Sequence, residues 1–188
     1  MVINMKKNKW KILLLLLIIS ITGCSQHEDI PSDTDILSDT DIVTEAENMA
    51  EQYADIYEKA FYNGTLGSLD ITRSMVERLE KCGYTAVDAK NEIDMVNAEQ
   101  LEVFCEKVTK KENANIAVSL LSEKGGFLRY DLHTEAGKVD VRTSALSWSG
   151  LEPQAHIVEA YPADTFTYTE YGYLFIEQYH RRKGMLTY

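Results

Sequence analysis

Residues 116–143 read IAVSLLSEKGGFLRYDLHTEAGKVDVRT, and this stretch decides the fold class. Ile116, Val118 and Leu120 alternate with smaller residues, Gly125-Gly126 interrupts, and Leu128, Tyr130 and Leu132 alternate again. Ala136-Gly137-Lys138 makes a second break before Val139, Val141 and Thr143. A period of two between glycine-bearing turns predicts consecutive antiparallel strands. In the third strand the apolar phase slips between Ala145 and Leu146, ahead of Trp148, as a β-bulge would make it do. Further strands are expected at about 155–160, 165–169 and 173–177.

Upstream the period lengthens to 3.6. Asn97 stands at a capping position for a helix to about Lys110, with Leu101, Phe104, Cys105 and Val108 on one stripe. Before it, Tyr84–Asp88 and Glu92–Met95 flank Ala89-Lys90-Asn91, which predicts a short hairpin. Thr44-Glu45-Ala46-Glu47 has a capping-box pattern, followed by Ala46, Met49, Ala50, Tyr53, Tyr57, Ala60 and Phe61 at helical spacing up to Asn63-Gly64. A second helix is expected over 68–81, with Leu69, Met75, Val76 and Leu79 inward and Gly83 as its stop. These two helices should pack as a hairpin.

Helices first and a β-meander after them make an α+β domain: a helical hairpin and a third helix packed on a curled antiparallel sheet. The element order resembles the cystatin-like cone of nuclear-transport-factor-like domains, and that resemblance implies a cavity between sheet and helices.

The first 23 residues are a different kind of segment. Lys6, Lys7, Lys9 and Lys11 precede an unbroken apolar run from Ile12 to Ile19, which has the charge block and core of a secretory signal. The run is about half the roughly 20 apolar residues that a transmembrane helix needs. Ile21-Thr22-Gly23-Cys24 follows and resembles the lipobox of bacterial prolipoproteins. The resemblance implies diacylglyceryl transfer to the Cys24 thiol, cleavage between Gly23 and Cys24, and a lipid anchor on the extracytoplasmic face of the cell membrane, with palmitate-type acylation completing it. From 24 to 44 the chain is small, polar and acidic, with Ser32-Asp33-Thr34-Asp35-Ile36 repeated as Ser38-Asp39-Thr40-Asp41-Ile42. This composition is expected to form a disordered tether. The single α+β domain then occupies 45–180, and 181–188 form a basic tail or a truncation remnant.

Glu58 with Leu66-Gly67-Ser68-Leu69, Gly125-Gly126-Phe127 with Tyr130-Asp131-Leu132, and Tyr161-Pro162-Ala163-Asp164 with Tyr168-Thr169-Glu170 and Gly172-Tyr173-Leu174 resemble an uncharacterised family of Gram-positive lipoproteins. The resemblance runs over about 45–178 and brings no assigned activity. Members of that family continue past the Gly-Tyr-Leu segment, which is why the ending is read as a remnant.

The chain holds 30 acidic and 19 basic residues. Loss of the four leader lysines leaves 15 basic, a net charge near −15, and such a surface is a poor partner for nucleic acid. With Cys24 lipidated, Cys82 and Cys105 remain; they are read as two buried thiols in preference to a disulfide. His27, His133, His156 and His180 show no helical metal-ligand spacing, so neither a metal nor a cofactor is expected, although strand histidines can meet Asp131, Asp140 or Glu159 across a sheet. No Gly-x-Ser-x-Gly elbow occurs.

Tyr161, Tyr168, Tyr171, Tyr173 and Tyr179 crowd into the last strands. Tyrosine is enriched where proteins bind proteins or stack sugars, so Tyr161, Tyr168, Tyr171 and Tyr173 are the candidate interaction surface. The expected role is a non-enzymatic binding module held at the membrane, with an envelope or extracellular protein, or a small ligand, as partner. The alternatives are a small-ligand carrier using the interior of the curled sheet and a cell-envelope hydrolase using acids with His133 or His156.

Overall fold

The structure is a computed structural model that describes residues 38–169 and 173–178. The leader, the Cys24 lipobox, Tyr171 and the basic tail lie outside the described residues. Among the described residues four helices precede most of the sheet: α1 (Asp39–Glu51), α2 (Ala54–Asn63), α3 (Leu69–Lys81) and α4 (Ala98–Lys110). The strands are β1 (Thr85–Asp88), β2 (Ala114–Leu121), β3 (Phe127–Glu135), β4 (Lys138–Ser149), β5 (Glu152–Pro162), β6 (Thr165–Tyr168) and β7 (Leu174–Glu177). The first five form one sheet in order β1-β2-β3-β4-β5, and β6-β7 form a separate ribbon. The architecture is α+β, with β2 to β5 an antiparallel meander that is not closed into a barrel.

The first helix starts before the expected position. Its capping box is Ser38 with Asp41: the Asp41 N–H donates to Ser38 Oγ at 3.3 Å, and the Ser38 N–H donates to Asp41 Oδ2 at 3.1 Å. Thr44-Glu45-Ala46-Glu47 is interior to the helix, so the stretch read as tether to residue 44 already contains a helical turn and more. The reason is Ile42, the apolar residue of the second Ser-Asp-Thr-Asp-Ile copy, which is only 1% exposed. Burial of one isoleucine contributes about 2 kcal/mol towards ordering the repeat that carries it.

What reads as one long helix is two. The chain breaks at Tyr53 (φ −119°, ψ 15°), and Arg78 of α3 donates from Nη1 to the freed Gln52 carbonyl at 2.8 Å. The same guanidinium holds Asp55 at 3.0 and 3.2 Å, which ties α2 to α3 as the expected hairpin. Gly64 and Gly83, both at positive φ, stop α2 and α3 as the sequence predicts.

The expected hairpin at 84–95 does not form. Asp88 is buried, and its carboxylate accepts the N–H groups of Glu92 and Ile93 at 2.9 and 2.7 Å, folding that segment into a loop. One bridge, Ala86 to Val96, remains of the antiparallel pairing. β1 instead pairs in parallel with β2, Thr85 opposite Val118, and α4 supplies the crossover that a parallel pair requires. Asn97 sits at the N-cap position of α4 but does not cap it; its Nδ2 donates to the carbonyls of Tyr84 (2.8 Å) and Glu80 (3.2 Å).

Helices cover both faces of the sheet. Ala46, Met49, Ala50 and Tyr53 of the α1–α2 region and Met75, Val76 and Leu79 of α3 pack on Leu121, Phe127 and Leu146. On the opposite face Leu101 and Phe104 of α4 pack on Val118, Leu132, Val139 and Val141. This explains the apparent phase slip in β4. Val139, Val141 and Thr143 face α4, whereas Ser144 and Leu146 face α1, because the two ends of the strand are covered on opposite sides. The register shift itself lies between Thr143 and Ser144, opposite Glu159 and Ile157, and leaves Val158 of β5 as the extra residue.

Candidate functional site

The β6–β7 ribbon has an inner and an outer face. Phe166 is opposite Ile176 and Tyr168 opposite Leu174, and all four pack on the α4 core. Phe166 meets Phe104 edge to face at 5.8 Å between ring centroids. Phe175, opposite Thr167, therefore points outward and is 52% exposed, and the neighbouring Tyr173 is 62% exposed. The inner face anchors the ribbon, and the outer face presents aromatics on a fixed backbone.

The four tyrosines of the candidate surface divide accordingly. Tyr161, in β5, and Tyr168 are half-buried against the α4 core, Tyr173 stands in solvent, and Tyr171 is outside the described residues. Burial raises the hydroxyl pKa of Tyr161, with Glu159 adding to it; burial likewise raises Tyr168, with Glu102 adding. Both remain neutral phenols. Phe175 joins this surface without having been singled out in the sequence, where its strand is too short to show which residues face out.

The histidines do not converge. His133 lies on the α1 face of β3 and shares a 2.6 Å contact between its Nδ1 and Asn115 Oδ1, while His156 lies exposed on the α4 face of β5. Among the described residues no group of three His, Cys, Asp or Glu side chains is placed to hold a metal ion. Cys105 is a free thiol, whereas Cys82 is disulfide-bonded, so the reading of two thiols holds for Cys105 alone. Burial, then the charge of Glu102, pushes its pKa up to about 11, which leaves it protonated and a weak nucleophile. A cleft of about 20 Å³, room for one water, opens beside Thr72, Asp88 and Leu121, with Lys90 and Glu123 ion-paired at its rim.

A further polar feature lies under α1. Arg129 and Asp131 alternate along β3 and so share one face, where Arg129 Nη2 and Nε hold the Asp131 carboxylate at 2.7 and 3.0 Å. Their side chains are 5% and 13% exposed. Two opposite charges two residues apart in an apolar strand are the signal that would have marked this pair in the sequence.

The family described as "Family of unknown function (DUF6070)" matches residues 39–187. The chain belongs to the DUF6070 family. The match starts at the first residue of α1 and takes in all the helices, the sheet and the ribbon, so the DUF6070 domain includes the Ser38-capped turn that composition assigns to the tether. No curated protein and no solved structure matches the chain.

Proposed function

We propose that this DUF6070 protein is a membrane-anchored extracytoplasmic lipoprotein whose domain acts as a non-enzymatic interaction module. The anchor is a lipid on Cys24, reached through cleavage after Gly23. The contact surface is the outer face of the β6–β7 ribbon, and its partner is a protein of the envelope or the extracellular space. The observation that carries this reading is the exposure of Tyr173 and Phe175 on a ribbon whose other side is packed. Exposed aromatics on a rigid support lose little conformational entropy on binding and bury a large area, the property of interface anchors.

A photo-crosslinking side chain placed at position 175 in living cells tests this. A discrete crosslinked protein is expected, with none from position 166 on the inner face, and its yield should fall in Tyr173→Ser. Equal, diffuse labelling from both positions would sink the proposal.

A further inference from the structure

On the α4 face of the sheet, β3, β4 and β5 set Tyr130, Thr143 and Glu159 in one row, through the register pairs Tyr130 with Thr143 and Thr143 with Glu159. Tyr161 lies two residues past Glu159 on the same face, opposite Val141. Strand spacing of about 4.8 Å places the backbones at Tyr130 and Glu159 about 10 Å apart across Thr143. Thr143 is 2% exposed, and its hydroxyl has no hydrogen-bond partner. Glu159 is exposed, whereas Tyr130 and Tyr161 are half-buried. The register assigns no lysine or arginine of β1–β5 to this face, and among the described residues Glu159 has no ion-pair partner.

We propose that Tyr130, Tyr161 and Glu159 form a recognition site for a lysine or arginine side chain carried by an extended segment of a protein partner. The proposal rests on the interaction-module reading and gives the partner its chemistry. A carboxylate beside two tyrosine rings attracts a cation through both charge and ring quadrupole. Burial, and after it Glu159, raise the pKa of Tyr130 and Tyr161, so both phenols stay neutral and keep donors and π-faces available.

Two observations favour a segment of protein over a free amine. The next row on this face, Leu120, Leu128 and Ala145, is half-buried and gives apolar ground for residues flanking the cation. The chain as a whole carries 30 acidic against 19 basic residues, which favours association with a basic protein surface.

The test is titration of the full chain with a capped hexapeptide holding a central lysine or arginine between leucines, with the same peptide holding norleucine or citrulline, and with N-acetyl-lysine amide. The cationic peptides should bind about tenfold more tightly than the neutral ones, and Glu159→Gln should remove that margin. Glu159 is exposed and the change isosteric, so folding is not at stake; Glu99→Gln on α4 serves as a control that leaves binding unchanged. Equal affinity for neutral peptides, indifference to Glu159→Gln, or N-acetyl-lysine amide binding as tightly as the peptide would each overturn the proposal. Loss of the crosslink at position 175 with the peptide result intact would instead count against the ribbon surface alone.

Discussion

Tyr53 and Trp148 end on the same acceptor: the Tyr53 hydroxyl and the Trp148 indole N–H each donate, over 2.8 Å, to the carbonyl oxygen of Gly125. Their rings meet edge to face at 6.0 Å, and Tyr57 stacks on Trp148 at 4.0 Å. The β2–β3 turn is thereby fixed to the α1–α2 break and to the end of β4. Because each donor leaves the other in place, Tyr53→Phe and Trp148→Phe should each cost about 1 kcal/mol from the lost bond, before packing changes. The double variant leaves a buried carbonyl unpaired and should lose more than the sum. A double-mutant cycle by urea denaturation checks this; strict additivity would show that the shared acceptor is solvated.

Gly125 and Gly126 cannot carry a side chain. Gly125 has φ +78°, and a Cβ there would lie 2.7 Å from Tyr57 Cδ2; at Gly126 it would lie 2.5 Å from the Leu146 carbonyl oxygen. Alanine at either position is expected to cost about 2 kcal/mol or more. Gly64 shares the left-handed conformation, φ +64°, but has open space around it, so Gly64→Ala should cost only about 1 kcal/mol. Thermal melts of the three variants give the ranking directly.

Stability should fall in alkali. Burial raises the Tyr53 pKa far above its ordinary value, against the opposing effect of the neighbouring Trp148 indole N–H. An acid whose folded pKa is raised stabilises the fold fully while the unfolded phenol is also protonated, and loses that contribution as pH climbs past about 10. The slope approaches about 1.4 kcal/mol per pH unit for one group. Tyr53→Phe should flatten the dependence above about pH 10, read from urea midpoints. An unchanged slope would assign it to the other tyrosines.

The Arg129–Asp131 pair should behave as a buried ion pair. Arg129→Met alone strands the Asp131 carboxylate and is expected to destabilise by about 3 kcal/mol or more. Arg129→Met with Asp131→Leu removes both charges and should recover most of the loss, since desolvation offsets the attraction of such pairs. A double variant no more stable than the single one would show that Arg129 contributes through contacts beyond Asp131.

The elements legible in the sequence are those set by local pattern. The Leu101–Phe104 stripe and the glycine-bounded strands β2 to β4 stand where spacing puts them, because periodicity and turn chemistry act within a few residues. The elements that were not legible depend on distant partners. Nothing near Tyr53 shows that its hydroxyl reaches Gly125 and breaks the helix, and nothing near Thr85 shows that β1 pairs with β2 across α4. Ile42 looks like one residue of a polar repeat until the core that covers it is known. The candidate surface divides the same way: tyrosine density was visible in the sequence, but the outward direction of Phe175 and the alignment of Tyr130 with Glu159 follow from register alone.

Every interaction proposed for this DUF6070 domain requires that it stand outside the cell, held at the membrane, so the intact mass of the protein isolated from membranes is the most direct test. The expected species lacks residues 1–23 and carries a diacylglyceryl group on Cys24, and Cys24→Ser should abolish both changes. A membrane-extracted chain at the unprocessed 21.4 kDa, unaffected by Cys24→Ser, would contradict the account.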